Sequence, residues 1–156
     1  MTKNPKTIEG NLFVDDRGYV SCVNDFNFGG IKRFYVVENH QQGFVRAWHG
    51  HKKESKYVYV VSGSALICAV KLKDLEELVQ IVPEEITVHK QILSSKIPKI
   101  FYIPAGYANG FMTLEPNTKI MFFSTATLEE SKKDDIRFPH DRLEIANLKL
   151  WEVIPR

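Results

Sequence analysis

The run Val45-Arg46-Ala47-Trp48-His49-Gly50-His51-Lys52 holds the densest set of side chains able to do chemistry. On an extended strand, residues two apart share a face, so His49 and His51 can look into one cavity. A neutral imidazole titrates near working pH and suits removal of a proton from carbon. Arg46 adds a planar fork that matches phosphate oxygens. The competing reading is a solvated turn that carries two histidines, and the His-x-His pair alone does not decide between them.

Metal ligation is the other use of such a pair. His-x-His is similar to the cupin metal pattern of two His, a Glu a few residues later and a third His on a distant strand. Here only Lys52 and Lys53 separate His51 from Glu54, a shorter spacing than that pattern. The distant position falls in Pro104-Ala105-Gly106-Tyr107-Ala108-Asn109-Gly110-Phe111 and holds Asn109 instead of His. Two imidazoles and one ill-spaced carboxylate make a poor zinc or iron site, so no metal is expected.

Positioning these groups falls to short β-type runs, at 11–14, 19–24, 31–39, 45–48, 57–62, 64–72, 85–93, 99–103, 110–114 and 118–125. They are rich in Val, Ile, Phe and Tyr and are punctuated by Asp16-Arg17-Gly18, Gly29-Gly30, Ser62-Gly63-Ser64 and Glu115-Pro116-Asn117. So many short strands predict an all-β sandwich or barrel. Residues 74–80 read as a helical turn or a hairpin end. Residues 128–135 read as helix, with Glu129 and Glu130 early and Lys132 and Lys133 late. The segment from Ile136 onward, with Leu143, Ile145, Leu148, Leu150 and Trp151, is expected to pack back on the barrel wall.

The composition supports one domain over residues 1–156. It is 44% apolar and 26% charged, enough for a core and too apolar for disorder. A net charge of +2 gives no support for nucleic acid or a membrane surface as partner. The two cysteines, Cys22 and Cys68, form neither a disulfide framework nor a zinc site and are expected to be buried. A polar N-terminus without an apolar signal, and no membrane span, predict a soluble cytoplasmic protein.

With these motifs in order, the chain resembles the cupin-fold nucleotide-sugar epimerases and isomerases. One branch is the dTDP-4-dehydrorhamnose 3,5-epimerases, the other the dTDP-4-keto-6-deoxyglucose 3,4-ketoisomerases. The resemblance runs from about Asp15 to Trp151. It implies a cupin-type jelly-roll double-stranded β-sandwich with a short C-terminal tail packed on it. It implies a homodimer in which a segment near Arg17 completes the neighbour's site, and no cofactor. Asp16-Arg17-Gly18-Tyr19 is similar to the opening motif whose Arg reaches a nucleotide phosphate. Val45 to His51 is similar to the epimerase segment in which Arg46 contacts phosphate and His49 is the base. The same run resembles the ketoisomerase His-Ala-His-Lys, which gives His51 a role. Lys56 stands where a Lys steadies the enolate. Tyr107 and Asn109 stand in the fourth motif, which lines the substrate. Ile136-Arg137-Phe138-Pro139-His140-Asp141 resembles the tail whose Asp pairs with the base, a role that falls to Asp141.

Three departures bear on function. Phe122 stands where the epimerases have a Tyr acid, with Phe123 beside it. Asn109 replaces a His, and Ala47 replaces a Gly at which the strand bends between Arg46 and His49. Loss of the acid leaves Tyr107, His51 or water to serve instead. The expected function is epimerisation beside the 4-keto group of a dTDP-linked 6-deoxyhexose, in deoxysugar or surface-polysaccharide (including lipopolysaccharide) biosynthesis. The alternatives are 3,4-ketoisomerisation and a non-catalytic sugar-nucleotide-binding module.

Overall fold

Val58 and Val60 point one way from their strand while Tyr57 and Tyr59 point the other. Repeated along the chain, that alternation builds two layers with a core between them. The computed structural model describes residues 3–156. Its strands are β1 (Lys6–Glu9), β2 (Asn11–Asp15), β3 (Gly18–Cys22), β4 (Arg33–Glu38), β5 (Val45–His51), β6 (Lys56–Ser62), β7 (Ser64–Lys71), β8 (Val88–Ser94), β9 (Lys99–Ile103), β10 (Tyr107–Thr113), β11 (Lys119–Ser124) and β12 (Ile136–Arg137). One sheet runs β1-β9-β6-β11-β4, a second runs β12-β5-β10-β7-β8, and β2-β3 stands apart as a hairpin. Every pairing is antiparallel. This is the expected cupin-type double-stranded β-sandwich.

Between the sheets lie Val58, Val60, Ile67, Leu93, Phe101, Phe111, Ile120 and Phe122. A second apolar cluster covers the outer face of the β12-β5-β10-β7-β8 sheet. It joins Trp48, Leu66, Val70 and Met112 to Leu72 and Leu75 of helix α1 (Leu72–Glu76) and to Leu143, Ala146 and Leu150 downstream. Strand β10 is therefore buried on both faces along its whole length.

The departures from the sequence reading are local. β5 continues three residues past 48 and carries both histidines within the strand. The run expected from 85 is a 3₁₀ turn over Pro83–Glu85, and β8 begins at Val88. β1 lies in the polar N-terminal segment and pairs with β9 through its backbone, which leaves no apolar pattern to find. The helix expected over 128–135 is α2 (Leu128–Lys133), opened by a reciprocal Thr127–Glu130 capping box. In the downstream segment Leu143 and Leu150 are buried, but Ile145 faces outward. Cys68 is buried, whereas Cys22 is only half-buried, because β3 belongs to the projecting hairpin.

One carboxylate ties the helical excursion to the sheet. Asp134, just past α2, accepts the backbone N–H groups of Lys52, Lys53 and Glu54 at 2.9, 2.8 and 3.1 Å. These bonds pull its pKa below the ordinary carboxylate range against a desolvation effect that pushes the other way. They fix the β5–β6 turn and the start of β12 together. Asp134→Ala leaves three donors without that acceptor. It is expected to destabilise the fold by about 2 kcal/mol and to lower Tm by about 4–8 °C in a thermal melt.

Candidate active site

A bulge brings the chemistry to one face. In the pairing of β5 with β10, Asn109 stands opposite His49 while Phe111 stands opposite Arg46. Two residues of β5, Ala47 and Trp48, thus face Gly110 alone. The extra residue cancels the strand alternation, so Arg46 and His49, three apart, both look inward. Ala47 and Trp48 turn to the outer cluster. Gly110 is required by this arrangement, because a Cβ there would lie 2.5 Å from Ala47 Cβ and 3.1 Å from the Trp151 ring. The bend expected from a Gly at position 47 is supplied by the bulge and the bare backbone across from it.

Between the sheets, Tyr35, Val37, Arg46, His49, Lys56, Asn109, Phe111 and Phe122 line a cavity of about 140 Å³. Five sequence-derived candidates meet here: Arg46, His49, Lys56, Asn109 and Phe122. Arg46 Nε donates to Asn39 Oδ1 at 2.8 Å. Lys56 enters from the buried end of β6. Phe122 is interior and Phe123 is on the outer face, where it packs on Phe26 and Phe28.

Other candidates lie elsewhere. His51 shares the inward face but sits behind the cavity, with Nδ1 3.1 Å from Glu54 Oε2. Tyr107 is buried in the core with its hydroxyl donating to Asn4 Oδ1 at 3.3 Å and its ring edge-on to His89, so it does not face His49's cavity. Arg17 lies at the tip of the β2–β3 hairpin, exposed and ion-paired with Asp15, and does not line the cavity of its own chain.

The partner of His49 must be corrected. The carboxylate nearest its Nδ1 is Asp135, with Oδ1 at 4.0 Å. β12 pairs with β5 at Ile136–Gly50 and Arg137–His49, which leaves Asp135 beside the imidazole. By Asp141 the chain has left the sheet through Phe138, which bonds Trp48, and has entered the 3₁₀ turn Arg142–Ala146. The expected Asp141–His49 pairing is therefore absent among the described residues. Sequence reasoning also missed Tyr35. It stands opposite Phe122 in the β4–β11 register and its ring stacks on Phe122 at 5.1 Å and 6°. Only cross-strand register could have found it.

Electrostatics keep the His49 imidazole neutral. Burial, with Lys56 and Arg137 adding positive charge, lowers its pKa to about 4, and Asp135 pulls in the other direction. Burial also lowers the Lys56 pKa, with Glu54 opposing it. Burial first, then Glu54, raises the Tyr35 phenol well above its ordinary value, so that it keeps its proton. Among the described residues, no three His, Cys, Asp or Glu side chains converge as metal ligands. Glu54, the acid considered for that role, instead accepts the hydroxyls of Ser124 and Ser131.

A neutral imidazole, a buried lysine and a protonated phenol thus surround one small cavity inside a double-stranded β-sandwich. The family sequence model described as dTDP-4-dehydrorhamnose 3,5-epimerase matches residues 3–154, and the chain belongs to that family of dTDP-sugar isomerases. A search of curated protein sequences gives no match. Solved structures do. A dTDP-4-dehydrorhamnose 3,5-epimerase from Elizabethkingia anophelis superposes with a TM-score of 0.73 at 20% identity, covering 97% of this chain and 83% of that one. The 3'-monoepimerase ChmJ from Streptomyces bikiniensis, in complex with dTDP-quinovose, gives 0.70 at 15% identity, covering 88% and 70%. The QdtA 3,4-ketoisomerase from Thermoanaerobacterium thermosaccharolyticum, in complex with TDP, gives 0.64 at 19% identity, covering 94% and 96%. No helix among the described residues is long and apolar enough to cross a membrane.

The titration of His49 checks the electrostatics directly. Its imidazole, followed by NMR, should protonate well below 6.5, near 4. Removing the anion in Asp135→Asn should lower the midpoint further, and removing the cation in Arg137→Ala should raise it.

Proposed function

We propose that the protein epimerises a carbon beside the 4-keto group of a dTDP-linked 6-deoxyhexose. The observation that carries this reading is the placement of His49 and Tyr35 on opposite walls of one cavity, with Lys56 between the sheets beside them. A 4-keto group acidifies the neighbouring C3–H bond. The Nε2 of His49, the nitrogen away from Asp135, takes that proton. The bond's electrons form the C3=C4 enolate, whose oxygen Lys56 stabilises by donating a hydrogen bond. Tyr35 then delivers its proton to C3 from the opposite wall, the enolate collapses to the ketone, and C3 is inverted. The phenolate and the imidazolium return to their starting states by exchange with water. Tyr35 thus takes the part that Phe122 lost. Arg46 at the rim is suited to the diphosphate, since a cavity of about 140 Å³ admits little beyond the sugar ring.

A second reading, 3,4-ketoisomerisation, is favoured by His51 two residues along on the His49 side, and by the near-equal length of this chain and QdtA. We also propose that the enzyme works in the cytoplasm as a homodimer. Supporting this, Phe13, Val14, Tyr19 and Val20 of the hairpin and Phe34 and Val36 of β4 are exposed apolar groups that a second copy can cover. Its Arg17 would then reach the neighbour's diphosphate.

Incubation with dTDP-4-keto-6-deoxyglucose in deuterated water, followed by NMR, tests the activity. Deuterium at C3 with inverted configuration is expected; label at C4 with a 3-keto product supports the second reading. No exchange with any 4-keto nucleotide sugar leaves a binding module. His49→Asn should slow C3 exchange by on the order of 10²–10⁴. Tyr35→Phe should permit exchange while lowering inverted product by on the order of 10². Sedimentation should give a dimer at micromolar concentration, shifted toward monomer by Phe13→Asp.

A further inference from the structure

Arg33 is a half-buried cation that the mechanism above does not use. Its Nε is buried without a hydrogen-bond partner among the described residues. Nη2 lies 3.5 Å from Glu54 Oε1, a loose ion pair. The guanidinium carbon stands over the Tyr35 ring, 4.8 Å from its centre. Glu54 in turn accepts Ser124 Oγ at 2.6 Å and Ser131 Oγ at 2.7 Å. An unpaired buried N–H and one long ion pair do little to offset the desolvation of a guanidinium, so stability alone does not account for this placement. Cross-strand register gives it a context. Ser124 stands opposite Arg33 on β4 and opposite Lys56 on β6, so the two cations flank it in one row. The next row is Tyr35, Phe122 and Val58, with Tyr35 stacked on Phe122.

We propose that Arg33 is a positioning residue for Tyr35: it fixes the ring against Phe122 and balances the phenolate left when Tyr35 gives its proton to C3. This rests on the reading of Tyr35 as the acid of the epimerisation. In that step the Tyr35 O–H bond breaks and its electrons stay on the phenol oxygen. The C3=C4 electron pair takes the proton to form C3–H, and the C4–O⁻ group becomes the ketone. The negative charge thus leaves the enolate oxygen beside Lys56 and appears on the phenolate beside Arg33. Where water is scarce, such a charge is held only if a cation already stands there. A guanidinium over an aromatic face is attracted to the phenol and more strongly to the phenolate. The charged and titratable groups around Tyr35 are Arg33 on its own strand, Glu54 from the β5–β6 turn, and Lys56 of β6 and His49 of β5 in the same cavity. Burial first, then Glu54, makes the phenolate harder to form, and Arg33 acts against both. A tight Arg33–Glu54 pair would cancel the cation, and their 3.5 Å separation leaves it available to the ring.

The test compares wild type with Arg33→Met, which removes the charge from a long side chain, and Arg33→Lys, which keeps the charge without the plane. The first readout needs no substrate. A fluorinated tyrosine of lower intrinsic pKa is placed at position 35, and its ionisation is followed by fluorine-19 NMR. The midpoint should rise by about 1 pH unit or more in Arg33→Met, and by less in Arg33→Lys. The second readout is the ratio of inverted to C3-exchanged product from dTDP-4-keto-6-deoxyglucose in deuterated water. It should fall about tenfold in Arg33→Met, with Arg33→Lys between, and Arg33→Met should cause no further fall in the Tyr35→Phe protein. If Arg33→Met fails to fold, Arg33→Lys carries both readouts. A midpoint that stays or drops overturns the proposal. So do exchange and inversion that decline in parallel, or an equal loss on the Tyr35→Phe background, since each marks a merely structural role. A wild type that exchanges C3 without inverting it sinks the reading of Tyr35 as the acid, while the midpoint still decides whether Arg33 governs the phenol.

Discussion

The site depends on the bulge where Ala47 and Trp48 face Gly110. A regular strand would send Arg46 and His49 to opposite faces, one into the cavity and the other into the outer cluster. With the bulge, both polar residues turn inward, and the two apolar ones fill the outer face, where Trp48 is fully buried against Trp151. The same local geometry therefore serves packing and chemistry. The rest of the β12-β5-β10-β7-β8 sheet holds it in register, since β10 is clamped between β5 and β7 and covered on both sides.

Charge is the second constraint. The interior end of the sandwich holds Lys56, Arg33, His49 and His51 against Glu54 and Asp135, in a region where water is scarce. There a group keeps its charge only if a counter-charge or several hydrogen bonds replace the lost solvent. Glu54 has such replacements in Ser124, Ser131 and Arg33. His49 does not, with its carboxylate at 4.0 Å and two cations nearby, and so it rests uncharged. An uncharged imidazole is the form that accepts a proton, so the weak pairing of His49 suits the resting state. An anion entering the cavity would raise the affinity of the imidazole for that proton.

Much of this was legible in the sequence, and the losses have physical causes. Period-two patterning located most strands, and Arg46 with His49 marked the cavity wall, because both are local signals; His51 of the same run turned out to sit behind it. Lys56 was placed correctly relative to Tyr57 by strand alternation alone. What failed was non-local. Asp135 rather than Asp141 meets His49 because a two-residue strand, β12, sets the register, and two residues are too short to show a pattern. Tyr35 was invisible because its relation to Phe122 exists only across a strand pair. β1 was missed because its pairing is carried by backbone groups, which every residue possesses. Glu54 was noticed for the wrong reason, its spacing from His51, and hydroxyls from 70 and 77 residues away now account for it.

The contact of Trp151 with the strand side of Gly110 has a consequence for local opening. The indole is anchored by donation from Nε1 to the His140 carbonyl at 3.0 Å, and its ring lies over Trp48 at 5.4 Å. Trp48 in turn exchanges backbone bonds with Phe138 in both directions. The segment around Trp151 and the bulge are thus one cooperative unit, although more than a hundred residues separate them along the chain. Amide hydrogen exchange at Trp48 and Phe138 would then share one opening free energy, governed by undocking of the indole. A cut between His140 and Trp151 would loosen the wall that carries His49 without touching a residue that lines the cavity.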